Sequence, residues 1–179
     1  MRPCKLPHRT AGFSLIEVLI AITVFAVSIG AVGTTLVATT ALSKTSNEIS
    51  EAVESACSLL EQVRAEEFQD IFATYNDSGA DDIDGVDTAP GSSFDVDGKS
   101  PWVGSVSVGE VIFPGDGIEL REDFVDRELG MPRDLNGDGV IDDLNHASDY
   151  TILPLRVRVR WSGKSGEIEK SMVSVLIDF

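Results

Sequence analysis

One acidic side chain, Glu17, interrupts a long apolar stretch at the start of the chain. No other charged residue occurs between Phe13 and Leu42, a stretch of 30 residues. A carboxylate inside hydrocarbon costs several kcal/mol unless an opposite charge neutralises it, so its presence there indicates a functional role. If the chain is cut between Gly12 and Phe13, a cationic amino group appears beside the membrane. That amino group would form an ion pair with Glu17 of another copy of the chain.

Residues 12–21, GFSLIEVLIA, resemble the amino-terminal signature of type IV prepilins and of the pseudopilins of type II secretion. In that family a membrane-embedded prepilin peptidase cuts after the Gly and methylates the new amino terminus, usually a Phe. The resemblance covers about residues 1–45 and implies three roles. Gly12 ends the leader, Phe13 becomes the N-methylated terminus, and Glu17 guides docking of the subunit into a helical filament.

A secretory signal and an uncleaved membrane anchor are the other interpretations of this segment. A secretory signal has its cleavage site after the apolar core, whereas Gly12 precedes the apolar run. The run of 30 residues would form a helix of about 45 Å. A membrane span needs only ~20 residues, so the run is long enough to cross. The basic leader predicts a cytoplasmic amino end and an extracytoplasmic remainder, anchored in the inner membrane.

A second pattern with possible chemistry occupies residues 134–145, DLNGDGVIDDLN. It resembles a calcium loop of the EF-hand or dockerin kind, in which alternate oxygen-bearing residues converge on one ion around a glycine turn. Ile141 would be its apolar anchor. The expected ligands are Asp134, Asn136, Asp138, the carbonyl of Val140, Asp142 and Asn145.

The last position of this loop departs from the pattern. Asn145 stands where an EF-hand has a bidentate Glu, so we expect weaker affinity or substitution by Asp143. The alternative interpretation is a solvated Asp-Gly turn. A further acidic cluster, residues 81–87, lacks the loop spacing and reads better as a solvated loop than as a second calcium site.

The charge of the chain is strongly negative and concentrated in its middle. The 179 residues include 30 acidic and 14 basic side chains, and residues 76–149 alone have a net charge of −15. Such a segment is expected to be disordered unless cations offset its self-repulsion. Nucleic-acid binding is not expected, because it needs clustered Lys and Arg. No internal disulfide is expected, because Cys4 leaves with the leader, and Cys57 is expected to be a buried, inert core thiol.

The elements that position these residues follow from periodicity. No Pro or Gly occurs between Gly33 and Gly79, so one helix is expected from about Phe13 to about Tyr75. Spacings of four, three, four and three residues predict its buried stripe. That stripe consists of Ile49, Val53, Ala56, Leu60 and Val63.

Alternation of apolar and polar residues predicts a β-hairpin over residues 151–179. Its first strand alternates Leu155, Val157, Val159 and Trp161 with Arg156, Arg158 and Arg160, and its second contains Val173, Val175, Ile177 and Phe179. The arginine row is expected to pair with Glu167 and Glu169 or with the acidic loops. Shorter strands are expected at Trp102–Val108 and Glu110–Phe113.

These elements predict an α+β, pilin-like fold, a long and partly transmembrane helix packed on a small antiparallel sheet. The expected regions are a leader (1–12), a membrane or filament-core helix (13–42), its amphipathic continuation (43–75), an acidic loop region (76–150) and the hairpin (151–179). No residue has a recognisable catalytic partner. The resemblance implies a prepilin peptidase, other pilin or pseudopilin subunits and the inner membrane as partners. The alternative is a membrane-tethered, calcium-dependent binding module that never polymerises.

Processing is the first testable consequence. Mass spectrometry of the mature chain should find Phe13 at the amino terminus with an N-methyl group. The matched control is the same chain in cells without an active prepilin peptidase, where the leader should remain. Retention of Met1 in membranes that contain the active peptidase would contradict the prepilin interpretation.

Overall fold

The structure, a computed structural model, describes residues 12, 14–163 and 166–178 and divides the chain into two compact units. The units are Met1–Lys44 and Thr45–Phe179. Phe13, to which the processing prediction refers, and the leader before Gly12 lie outside the described residues. A long apolar helix and a four-stranded antiparallel sheet confirm the predicted α+β, pilin-like layout.

The predicted helix ends earlier than expected. Helix α1 covers Leu15–Ala65, a 3-10 turn follows at Phe68–Asp70, and a short helix α2 covers Ile71–Tyr75. Glu67 is extended, which breaks the helix although no Pro or Gly is present. The break allows aromatic packing: the Phe68 ring lies 5.0 Å from that of Tyr150.

The second half of α1 buries one stripe in the core of the Thr45–Phe179 unit. The buried residues are Ala52, Ala56, Leu60 and Val63. Ile49 is partly buried, as its place in the stripe requires, but Val53 is only half-buried and Ala52 takes its predicted place. Cys57 is a half-buried free thiol whose Sγ lies 3.9 Å from Met172 Sδ.

The sheet has the order β1-β2-β3-β4, and every pairing is antiparallel. The strands are β1 (Ser93–Phe94), β2 (Gly109–Ile112), β3 (Ile152–Gly163) and β4 (Gly166–Ile177). The predicted strand at 102–108 is wrong: these residues form turns, and Val106 is 98% exposed. Gly104, with φ of 90°, turns the chain within this segment, and Ser105 N donates to the Trp102 carbonyl at 2.9 Å, which closes a turn in place of a strand.

Strand β3 forms the centre of the core. Leu155, Val157, Val159 and Trp161 are all buried, as their alternation predicts. The second strand was predicted from apolar residues that include Val173, Val175 and Ile177. In the structure these three side chains lie on the outer face of β4, and Val173 is 45% exposed. The inward residues are Ile168, Met172, Ser174 and Leu176, of which only Ser174 is fully buried.

The arginine row of β3 pairs with the acidic segment. Arg156 Nη1 lies 3.1 Å from Asp126 and 2.8 Å from Glu128. Arg158 Nη2 lies 2.6 Å from Glu110 on β2. Because these pairs fix acidic loops against the sheet, part of the expected self-repulsion is offset by the protein itself.

Candidate functional site

The amino-terminal unit is an apolar helix with an exposed surface. All described residues from 14 to 44 are exposed. A window of 18 residues in α1 has a mean hydropathy of 2.5, so the helix is long and apolar enough to cross a membrane. The helix meets this criterion by its length and composition. An exposed apolar helix of this kind needs lipid or neighbouring helices around it.

Six hydroxyl groups in the apolar part of this helix are satisfied locally. Each donates a hydrogen bond to a backbone carbonyl three or four residues earlier, at 2.7–3.1 Å. The residues are Thr23, Ser28, Thr34, Thr35, Thr39 and Thr40. Internal hydrogen bonds make these hydroxyl side chains compatible with hydrocarbon. Glu17, the charged residue of this stretch, still needs a partner of opposite charge.

Glu17 lies in the first turn of α1, where the helix begins with hydrogen bonds from Glu17 N and Val18 N to the carbonyl of Ser14. The positive end of the helix dipole favours a carboxylate at this position. Gly12 is exposed, and nothing lies within 4 Å of the position of an added Cβ. The predicted cleavage position and the predicted docking carboxylate thus stand five residues apart at the start of the helix.

In the second unit, the loop at 134–145 winds around its first three predicted ligands. The two carboxylate oxygens of Asp134 accept hydrogen bonds from Gly137 N at 2.6 Å and Gly139 N at 2.8 Å. Asn136 Oδ1 accepts from Asp138 N at 3.0 Å, and Asp138 Oδ1 accepts from Val140 N at 2.7 Å. Gly137 and Gly139 have φ of 82° and 86°, which side chains rarely tolerate.

The later predicted ligands point elsewhere. Asn145 Oδ1 accepts hydrogen bonds from Leu120 N and Ala147 N, both at 3.0 Å. Asp142 Oδ1 accepts from Leu144 N at 2.8 Å and lies near His146. The structure therefore brings the first three predicted side chains to one turn and does not add Asn145 or Asp142 to them.

The apolar anchor of the loop is also not the predicted residue. Ile141 is 49% exposed, whereas Leu135 is fully buried. The Leu135 carbonyl accepts hydrogen bonds from Thr151 N at 2.8 Å and Ile152 N at 2.9 Å, which join the loop to the start of β3. An anchor at position two of the loop, rather than eight, positions this loop next to the sheet.

Glu122 is the residue of this region that sequence reasoning missed. Its side chain is fully buried, and Oε1 accepts hydrogen bonds from Leu135 N at 2.6 Å and Asn136 N at 3.2 Å. Its Oε2 accepts from Asp142 N at 3.4 Å, so one carboxylate holds both halves of the loop. No periodic signal marks Glu122, because it lies in an irregular run between Arg121 and Asp123.

His146 lies beside this buried carboxylate. Its Nε2 is 3.1 Å from Asp142 Oδ1 and 3.9 Å from Glu122 Oε2, and its Nδ1 is 3.1 Å from Asp149 Oδ1. Burial alone lowers the pKa of His146, but the hydrogen bonds to Asp142 and Asp149 and the charge of Glu122 together raise it above its usual value. The site thus favours positive charge at the imidazole.

The acidic cluster at 81–87 uses its carboxylates to close turns. Asp82 Oδ2 accepts hydrogen bonds from Thr88 N at 2.8 Å and Ala89 N at 3.0 Å. Asp81 Oδ2 accepts from the side-chain amide of Asn76 at 2.7 Å. These contacts agree with the interpretation of the cluster as a solvated acidic loop.

Comparison with known families identifies the amino-terminal segment. Residues 7–33 match the family model described as the prokaryotic N-terminal methylation motif. The chain therefore carries the prepilin signature of type IV pilin-like proteins and pseudopilins, as its residues predict. That family is structural rather than catalytic. No curated protein and no solved structure matches the chain.

The buried carboxylate generates a stability prediction. Glu122→Ala should lower the free energy of unfolding by about 3 kcal/mol, because the backbone N–H groups of Leu135 and Asn136 lose a charged acceptor. Urea denaturation of the full chain in detergent micelles, followed by tryptophan fluorescence, measures this. Glu119→Ala is the matched control at an exposed site and should change stability by less than about 0.5 kcal/mol. Equal effects of the two changes would contradict the role assigned to Glu122.

Proposed function

We propose that the protein is a structural subunit of a type IV pilus or of a type II secretion pseudopilus. A prepilin peptidase cuts it after Gly12 and methylates Phe13, and the subunit then joins a helical assembly. The observation that carries the proposal is Glu17, the one charged residue in 30 otherwise uncharged positions, at the start of an exposed apolar helix. The methylation motif at residues 7–33 supports the same assignment.

Pairing of charges gives the assembly step its direction and register. An apolar helix binds neighbouring apolar helices without preference for one axial position, because the packing surface is similar along its length. The interaction between Glu17 and a neighbour's terminal amine is strong only when both charges are close in a medium of low dielectric constant. A subunit out of register would leave both charges unpaired, at a cost of about 3–5 kcal/mol.

The proposed location follows from the charges that flank the helix. Arg2, Lys5 and Arg9 precede the apolar stretch, and the first charged residue after it is Lys44. Three positive side chains on the amino-terminal side favour a cytoplasmic leader. The unit from Thr45 onward would then lie outside the inner membrane before it enters the filament.

Calcium stabilisation of the acidic unit is the second part of the proposal. Asp134, Asn136 and Asp138 supply side-chain oxygens on one turn, and the Val140 carbonyl would add a fourth. Asn145 and Asp142 are engaged elsewhere, so water would complete the shell and the affinity would be low. Extracellular calcium is abundant enough for sites with dissociation constants of about 0.1–1 mM.

Glu17 provides the test of assembly. Glu17→Val should still insert and be cleaved, but its amount in sheared filaments or in crosslinked helix pairs should fall at least tenfold, because the neighbour's amine loses its partner. Glu54→Val makes the same chemical change at an exposed position of α1 in the second unit and should assemble normally.

Assembly of Glu17→Val at the wild-type level would remove the docking role from this carboxylate. If, in addition, no crosslinks formed between amino-terminal helices of wild-type subunits, the protein would be a membrane-tethered binding module that does not polymerise. The two measurements therefore separate the filament subunit from the alternative class.

Calcium provides the second test. The full chain in micelles should melt about 5 °C higher in 10 mM calcium than in chelator, since ligand that binds only the folded state adds about 1.5 kcal/mol at ten times its dissociation constant. Asp134→Ala and Asp138→Ala should remove most of this difference, and Asp84→Ala, an exposed acidic control, should not. Magnesium should replace calcium poorly because it requires a tight octahedral shell. Identical melting temperatures in calcium and in chelator would show that the loop is a solvated turn that does not bind calcium.

A further inference from the structure

We propose that Glu122, Asp142 and His146 form a binding site for a divalent transition metal of the zinc class, distinct from the turn around Asp134, Asn136 and Asp138. Each of the three residues offers one ligand atom, and these atoms all lie within 4.8 Å of one another. The three positions come from two segments of the acidic region. A metal bound there would link segments that no disulfide joins, since the chain beginning at Phe13 has a single cysteine.

The orientation of His146 is the first argument. Asp149 Oδ1 lies 3.1 Å from Nδ1, in a position to accept a hydrogen bond from a protonated Nδ1. With the proton on Nδ1, the lone pair of Nε2 is directed at Asp142 Oδ1, 3.1 Å away, and towards Glu122 Oε2, 3.9 Å away. In a neutral ring, that lone pair and the two carboxylate oxygens would repel one another, so the position requires a cation, either a proton on Nε2 or a bound metal ion. A carboxylate on the distal nitrogen is also the usual support of a metal-binding histidine.

The two distances from the imidazole fit an ion of this size. Zinc binds imidazole nitrogen and carboxylate oxygen at about 2.0–2.2 Å, which places neighbouring ligand atoms of a tetrahedral site about 3.4 Å apart. The two distances from Nε2, 3.1 and 3.9 Å, bracket that value. Three protein ligands leave the fourth position to water, and Asp142 is exposed enough to admit one.

Burial is the second, independent argument. The side chain of Glu122 is fully buried and that of His146 is 5% exposed. Among the described residues, the ion pair found for Glu122 is that with His146, since the adjacent Arg121 pairs with Asp123. A buried carboxylate is costly unless a cation compensates it. Leu135 N and Asn136 N bind Oε1, whereas the hydrogen bond found for Oε2 is the long one from Asp142 N at 3.4 Å.

The ligand types select the metal. Calcium prefers oxygen ligands only, whereas an imidazole with two carboxylates suits zinc and its neighbours in the first transition series. His146 lies in the proposed zinc cluster, and Asp138 lies in the turn around Asp134. Neither residue belongs to both sites. The two sites are therefore separable by single substitutions.

The experiment uses the full, untagged mature chain in detergent micelles, first freed of metal with a chelator. Addition of Zn²⁺ should raise the melting temperature by several °C at one equivalent, and Co²⁺ should give the visible absorption bands of a tetrahedral site. His146 is the one histidine in a chain that begins at Phe13, so imidazole ligation of Co²⁺ has a single source.

Three variants sharpen the test. In His146→Gln, Zn²⁺ should no longer raise the melting temperature, but calcium should still raise it. In Asp138→Ala, calcium should no longer raise the melting temperature, but Zn²⁺ should. Asp149→Asn keeps the size of the side chain that supports the imidazole but removes its charge, and should weaken Zn²⁺ binding about tenfold without abolishing it. An equal response to Zn²⁺ in His146→Gln and in the wild type would overturn the proposal.

The wild-type chain alone also decides the question if a variant fails to fold. The absence of both a stoichiometric Zn²⁺ shift and Co²⁺ absorption bands would show that the cation between the carboxylates is the proton of an imidazolium. Neither result bears on filament assembly, because Glu17 and the methylation motif lie in the other unit of the chain.

Discussion

Glu122 is the charge on which the acidic half of the folded unit depends. Its carboxylate is completely buried, and it accepts backbone hydrogen bonds from both halves of the 134–145 loop. A segment of net charge −15 has no reason to bury one of its own carboxylates unless that carboxylate organises the segment. By accepting N–H groups that would otherwise be unsatisfied, Glu122 gives an irregular chain the connections that a sheet would provide.

The two units of the chain are built for different surroundings. The first exposes an apolar helix whose hydroxyl groups are bonded internally, which suits hydrocarbon or neighbouring helices. The second buries its apolar residues around Trp161 and pairs the arginines of β3 with carboxylates from loops. In both units a carboxylate needs a cation: Glu17 in the first, and Glu122 beside His146 in the second. The proposed chemistry of the protein is therefore the neutralisation of negative charge in poorly solvated places.

Local patterns predicted the parts of the structure that local energetics decide. The apolar run, the methylation motif and the alternation along β3 are periodic or contiguous signals, and the helix and hairpin follow them. The break after Ala65 has no such signal, because packing of Phe68 on Tyr150, 82 positions later, favours it. Ala52 is buried where Val53 was expected, so the packing of α1 in the folded unit, and not the hydrophobicity of the side chain alone, selects the buried position. Glu122 was missed because no neighbour in sequence reveals its partners.

Asn145, at position twelve of the 134–145 loop, connects the loop to the segment that contains Glu122. An EF-hand places a bidentate Glu there to complete its ion shell. Here Asn145 accepts hydrogen bonds from Leu120 N and Ala147 N, and His146 N donates to the Leu120 carbonyl at 2.8 Å. The end of the loop is thus used to attach the chain to the segment that carries Glu122, which brings His146 to that carboxylate. The departure of Asn145 from the EF-hand pattern and the position of His146 beside Glu122 therefore both depend on the attachment of the loop end to Leu120.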